Sequence, residues 1–249
     1  MRGALLEACG CFPTGRHYPG IAHLLRAVAR GLLEGMAAEA EWSGLPIALV
    51  DVETTGKDPS VDRVVEVGIA IARAGELAES KNWLIHPGMA IPKEASDVHK
   101  ITDEIVRDAP RFEAIAGEVA AMLQGCVPAA YNAGFDRAFL ANEMARAGVA
   151  KEDVVPSLRK NVEWLDPLVW ARELQQEERS RTLGEVATRL GIGLEQAHRA
   201  SDDAAAALKV MLALGRDPRI PRSYAGLVQE QRRLAMSQAD ERRLKWRDA

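Results

Sequence analysis

A chain of 249 residues, 47% of them hydrophobic, is long enough to bury a sizeable core as one large domain with extensions. Its three cysteines are an odd number, and Cys9 and Cys11 stand too close to staple a loop, so a disulfide framework is excluded and a reducing cytoplasm is the expected compartment. The net charge of −4 does not exclude a nucleic-acid partner: residues 1–44 are balanced, residues 216–249 hold nine Lys/Arg against five Asp/Glu, and the acidic centre suits divalent cations, which meet phosphate as well as Arg or Lys do.

No run approaches the roughly 18 apolar residues of a membrane helix, so no membrane association is expected. Leu6-Glu7-Ala8-Cys9 has the outline of a lipoprotein cleavage site, but no apolar stretch precedes it, and no signal peptide is expected. Over residues 20–41, Ile21, Leu24, Leu25, Val28, Leu32 and Met36 fall at helical spacing and predict an amphipathic helix that packs on the main domain or binds a partner. Trp42 to Pro46 reads as a linker, giving a helical extension over 1–44, a main domain over 45–215 and a basic helical tail over 216–249.

Ile47 to Val50 reads as a buried strand that runs into Asp51-Val52-Glu53-Thr54-Thr55-Gly56. Side chains alternate along a strand, so Asp51 and Glu53 share a face. Two adjacent carboxylates are costly unless a cation sits between them, and a divalent metal with oxygen ligands answers that cost; a solvated acidic strand end is the plainer alternative. Val64 to Ala72 and Glu76 to Ile85, separated by Ala74-Gly75, read as a hairpin, with Asp62 at its solvated entrance and Glu66 as an alternation partner. A helix is predicted over 111–124, with Phe112, Ile115, Val119, Met122 and Leu123 on one face.

Val127 to Tyr131 reads as a short strand, followed by Asn132-Ala133-Gly134-Phe135-Asp136 opening a helix over 135–148. Asp136 falls in a first turn, where the backbone dipole favours a carboxylate in any case. Val162 to Leu165 reads as another short strand. Asp166-Pro167 reads as a helix entrance, with the acid capping, and Thr182-Leu183-Gly184-Glu185 fits a capping box. Finally, His198-Arg199-Ala200-Ser201-Asp202-Asp203 opens an alanine-rich helix running to Leu214. Taken alone, that too is ordinary helix-start chemistry.

The ordered set resembles the DEDDh 3′-to-5′ exonuclease family, which includes the proofreading subunit of bacterial replicative polymerases, ribonuclease T and oligoribonuclease. Asp51 and Glu53 match its D-x-E motif, Asn132 and Asp136 its asparagine and aspartate at a helix start, and His198 and Asp203 its histidine five residues before an aspartate. The sister subgroup has tyrosine four residues before the last aspartate; Arg199 stands there, which excludes that variant. Tyr131 replaces a histidine common in relatives, and Lys100 replaces the glycine of a His-Gly-Ile-Thr stretch.

The resemblance implies an α/β, ribonuclease H-like domain: a mixed five-stranded sheet with one antiparallel strand and helices on both faces. It implies a two-metal hydrolase using Mg²⁺ or Mn²⁺, held by Asp51, Glu53, Asp136 and Asp203, with His198 as the base. It places Thr54, Thr55, His99, Asn132 and Phe135 against substrate. The implied reaction releases nucleoside 5′-monophosphates from single-stranded ends, with DNA favoured and a DNA polymerase subunit as a partner in proofreading or repair. An exoribonuclease of the ribonuclease T or oligoribonuclease kind is the nearest alternative, and a nucleic-acid-binding or polymerase-associated adaptor with little turnover is the alternative from another class. Oligomeric state is not legible in the sequence.

Overall fold

The computed structural model describes residues 39–149, 156–159, 162–193 and 199–247. The predicted N-terminal helix up to residue 38, and His198, lie outside them.

Strands β1 (Ile47–Thr54), β2 (Val64–Arg73), β3 (Glu76–Leu84) and β4 (Val127–Ala129) form one sheet in the order β3-β2-β1-β4. β2 is antiparallel to β1 and β3, and β4 is parallel to β1, so β2 is the one strand that runs against the others. The hairpin between β2 and β3 turns on Ala74 and Gly75, with φ of 51° and 79°. Positive φ at both central residues gives the turn a twist that matches the flanking strands.

Among the described residues the sheet has four strands rather than the expected five. Leu165 makes a single parallel bridge to Ala129, with its N–H on Pro128 O at 2.9 Å and its carbonyl accepting the Ala130 N–H at 3.0 Å. The ladder stops there because Asp166 and Pro167 turn at once into a helix, and proline has no N–H to donate.

Eight α-helices are described: α1 (Lys93–His99), α2 (Asp103–Val106), α3 (Phe112–Leu123), α4 (Ala133–Arg146), α5 (Pro167–Leu174), α6 (Leu183–Arg189), α7 (Ala200–Leu214) and α8 (Tyr224–Arg247), with short 3-10 turns at Trp42–Gly44 and Pro156–Leu158. They lie on both faces of the sheet. Ile47 and Leu49 of β1 point into the layer of α5 to α8, whereas Ala48, Val50 and Val52 point into the layer of α3 and α4. Burial on both faces is why β1 reads as an unbroken apolar run. Ile47, Leu49, Ile69, Phe139 and Trp170 are fully buried. At about 1.5–3 kcal/mol for each large apolar side chain, these two layers hold the strands on which the acids sit.

β2 divides its faces by size. Val67, Ile69 and Ile71 fill one layer, while Ala70 and Ala72 meet Ala204 and Ala207 of α7 on the other. Small residues on both partners let the α7 backbone come close to the sheet. The basic C-terminal region is partly core: Tyr224, Leu227, Val228 and Leu234 of α8 are buried. Gln231 of α8 accepts hydrogen bonds from the Asp166 N–H (2.8 Å) and Trp170 Nε1 (3.0 Å), and donates to Trp164 O (2.8 Å).

Candidate active site

The site lies where β1 outruns its neighbour. β4 pairs only with Ile47, Ala48 and Leu49, so the far half of β1 has no strand on that edge. The start of α4 fills the gap, and Asp136 Oδ1 accepts the Val52 N–H at 3.1 Å. Asp136, only 4% exposed, is thereby fixed from the α3–α4 side of the sheet between the two acids of β1.

Asn132 precedes α4 at φ 74°, a left-handed conformation that asparagine tolerates better than most residues. Its own side chain makes no cap bond; the capping group is Asp166. The Asp166 carboxylate accepts the N–H groups of Asn132 (3.0 Å) and Ala133 (3.1 Å) as well as that of Leu168 (3.0 Å). One carboxylate therefore caps both α4 and α5, which extends the single cap that Asp166-Pro167 predicts.

Asp203 arrives from the other layer, in the first turn of α7. Asp51, Glu53 and Asp203 each offer a carboxylate oxygen, and the three oxygens lie within 4.8 Å of one another. Asp202, one residue earlier in the same turn, is not in that group. The acids line an open cleft of about 450 Å³, shared with Asn132, Phe135, Asp136, Tyr131 and Leu183.

The cluster holds more negative charge than it can carry alone. Burial, followed by the charges of Asp136, Glu53 and Asp203, holds Asp51 well above the usual carboxylate range. Burial and then Asp203 and Glu66 push Glu53 up to about 7. Asp136 is raised chiefly by burial, against the lowering effect of the N–H groups that it accepts. Convergent carboxylate oxygens that resist ionising together are a donor set suited to a hard divalent cation, whose arrival makes the charged forms favourable.

The family model for exonucleases of the RNase T group matches residues 49–211. The chain belongs to this exonuclease family. The matched span runs from β1 through the first turns of α4 and α7, the elements that carry Asp51, Glu53, Asp136 and Asp203. The chain is 29% identical over 193 residues to the PolC-type DNA polymerase III of Thermotoga petrophila, covering 78% of this chain and 14% of the polymerase. It is 28% identical over 165 residues to the 3′-5′ exonuclease DinG of Staphylococcus saprophyticus, covering 66% and 17%. The chain thus spans less than a fifth of either relative. Among solved structures, Escherichia coli exonuclease I in complex with a dT13 oligonucleotide superposes with TM-score 0.60 at 19% identity, covering 70% of this chain and 42% of that one. Exonuclease X in complex with 5′-overhanging duplex DNA gives 0.55 at 19% identity, covering 73% and 99%. These likenesses establish the fold of this exonuclease domain.

The residues expected against substrate divide. Asn132 and Phe135 line the cleft, and the Phe135 ring lies 4.7 Å from that of Phe139. Thr54, Thr55 and His99 are buried and are not among the residues lining it. The Thr55 N–H is already given to Arg63 O at 2.9 Å, and Thr54 Oγ1 donates to Gly56 O at 2.6 Å, so both threonines shape the turn after β1. His99 closes α1, its Nδ1 accepting the Ile101 N–H at 3.1 Å. Thr182 occupies the N-cap position of α6 without a side-chain cap bond, so the expected capping box is not made, and the residue lines the cleft instead.

Two acids matter beyond what sequence reading assigned them: Glu143, which it passed over, and Glu66. Glu143 is 1% exposed and takes Arg63 in a bidentate pair at 2.6 and 2.8 Å, tying α4 to the start of β2. Glu66, expected to be an alternation partner, is fully buried and faces α7. The available signal was the pattern Glu66-x-Gly68-x-Ala70-x-Ala72, one face of a strand reduced to small residues beside an acid.

Proposed function

We propose that this exonuclease domain hydrolyses single-stranded DNA from the 3′ end and releases nucleoside 5′-monophosphates. The observation that carries the reading is the convergence of the Asp51, Glu53 and Asp203 oxygens within 4.8 Å in an open cleft. The 3′-5′ direction is supported by the DinG relative and the preference for DNA by the PolC relative and the exonuclease I fold.

What Mg²⁺ or Mn²⁺ ions supply when held there is activation of water and neutralisation of charge on the leaving 3′ oxygen. Asp51 would serve both of two such ions, Glu53 and Asp203 would hold the one that activates water, and Asp136 would support the second directly or through water. His198 takes the proton from the attacking water, a task suited to a side chain with an unperturbed pKa near 6.5. Asn132 and Phe135 receive the terminal nucleotide. Thr54, Thr55 and His99 act behind the cleft wall, and the basic residues of α8 offer phosphate contacts to a longer strand. The PolC likeness supports a proofreading or repair role alongside a DNA polymerase, in the cytoplasm. Among the described residues no helix is long and apolar enough to cross a membrane.

Digestion of matched, end-labelled single-stranded DNA and RNA with Mg²⁺ or Mn²⁺ tests the proposal. Stepwise shortening of DNA from the 3′ end is the expected result. Faster shortening of RNA would make the chain an exoribonuclease, and DNA binding without mononucleotide release would make it an adaptor.

A further inference from the structure

We propose that Glu66 is a positioning residue, which holds the first turn of α7 against β2 and so sets Asp203 opposite Asp51 and Glu53. The inference rests on the reading of those three acids as a metal centre. Glu66 is fully buried. Its Oε2 accepts the Ala200 N–H at 2.9 Å, and its Oε1 accepts Asn82 Nδ2 at 2.8 Å and Arg199 Nη1 at 3.3 Å. Oε2 is thus committed to the helix start and Oε1 to Asn82 of β3 and to Arg199, and Glu66 is not among the acids whose oxygens converge.

The strand register makes the arrangement specific. Across β1 and β2, Glu53 stands opposite Glu66 and Asp51 opposite Gly68. A Cβ on Gly68 would lie 2.1 Å from the carbonyl carbon and oxygen of Ala200 and 2.3 Å from the Ser201 nitrogen. Those are backbone atoms with no flexible end to yield. The helix start therefore rests on bare strand directly across from Asp51 and is tied down by the acid one pleat away.

A cap for α7 alone needs no such device. A local cap would come from a Ser, Thr, Asp or Asn at the N-cap, the residues preferred there; here that residue is Arg199, with no side-chain cap bond. A local cap satisfies free N–H groups but leaves the helix able to shift over the sheet. A cap supplied from β2 fixes the helix to the strand that neighbours the metal-binding strand, which is the distance the three acids require. Outer-shell groups that orient metal ligands characteristically change affinity by 10–100-fold when removed.

The test compares wild type, Glu66→Ala, Glu66→Gln and Gly68→Ala for Mn²⁺ affinity by calorimetry, for melting temperature in EDTA, and for the Mn²⁺ concentration giving half-maximal cleavage. Glu66→Ala and Gly68→Ala should weaken Mn²⁺ binding about 10-fold or more, with cleavage largely regained at saturating Mn²⁺. Glu66→Gln, which keeps one acceptor for the Ala200 N–H but sets its NH2 against the donors of Asn82 and Arg199, should lie between wild type and Glu66→Ala. Should Glu66→Ala fail to fold, Gly68→Ala carries the test. Wild-type Mn²⁺ affinity in folded Glu66→Ala or Gly68→Ala, with only a lowered melting temperature, would make the contact merely structural and overturn the inference. Wild-type protein that takes up no Mn²⁺ would overturn the metal-centre reading itself.

Discussion

Asp136 Oδ1 accepts the N–H of Val52, the residue between Asp51 and Glu53, at 3.1 Å. The bond satisfies a backbone donor that the short strand β4 leaves without a partner, and it anchors an acid beside the cluster in the same stroke. Structure and chemistry are therefore coupled at Asp136 and separable at Asp51. Asp136→Ala should cost about 1–3 kcal/mol, the cost of a buried donor left unpaired. Asp51→Ala removes one of several mutually repelling acids and should leave the metal-free protein as stable as wild type or more so. Chemical denaturation of both variants in EDTA checks the contrast.

Asp166 joins two helix starts to one carboxylate. Asp166→Ala frees the N–H groups of Asn132, Ala133 and Leu168 together and should destabilise by about 2–4 kcal/mol, roughly two caps' worth. Cleavage should fall as well, because the first turn of α4 carries Asp136. Asp166→Asn retains one acceptor oxygen and should lie between. Melting curves and turnover, measured on the same preparations, should rank the three proteins in that order.

Asp202 and Asp203 occupy the same first turn of α7 and differ in what they face. Asp203→Asn should remove metal-dependent cleavage. Asp202→Asn should cost only the helix-dipole contribution, about 0.3–1 kcal/mol, with cleavage retained. An active Asp203→Asn beside a dead Asp202→Asn would mean that the family register has been assigned to the wrong acid.

The pH dependence of the metal-free protein follows from the cluster. Glu53 titrates at about 7 when folded and near 4.5 when unfolded, so between these values the folded state keeps a proton that the unfolded chain has released. Stability is then greatest below the unfolded value and falls as pH rises through the folded one; Asp51 and Asp136 act in the same direction. Asp217, lowered to about 2 by Arg219, acts below this window. Melting temperature in EDTA should therefore fall from pH 5 to pH 8, and Mn²⁺ should flatten or reverse the slope. A metal-free melting temperature that climbs over this range would contradict the assigned shifts.

What could be read from the sequence was whatever local pattern dictates. β1 announced itself as an apolar run ending in two acids on one face, the hairpin through Ala74-Gly75, and α3 and α7 through their periodicity. The ordered motifs singled out four acids that line one cleft, three of which converge within 4.8 Å. The fifth strand failed because a four-residue apolar run does not reveal that Pro167 will end it after one bridge. Glu66, Glu143 and the second cap made by Asp166 were hidden for a common reason: each has a decisive partner 33 or more residues away, which no local window contains. Lys100 closes α1 at φ 61°, a left-handed position that glycine fits best and where a side chain is strained.

The central claim is that Asp51, Glu53 and Asp203 form the metal-dependent hydrolytic centre of a 3′-5′ exonuclease. Digestion of a 5′-labelled single strand by wild type and Asp51→Ala, with Mn²⁺ and with EDTA, tests it most directly. The account predicts a ladder shortening from the 3′ end for wild type with Mn²⁺ alone, and none for Asp51→Ala although its circular dichroism and melting temperature are intact. An Asp51→Ala protein that keeps more than a small fraction of wild-type turnover, or a wild-type ladder that persists in EDTA, would contradict it.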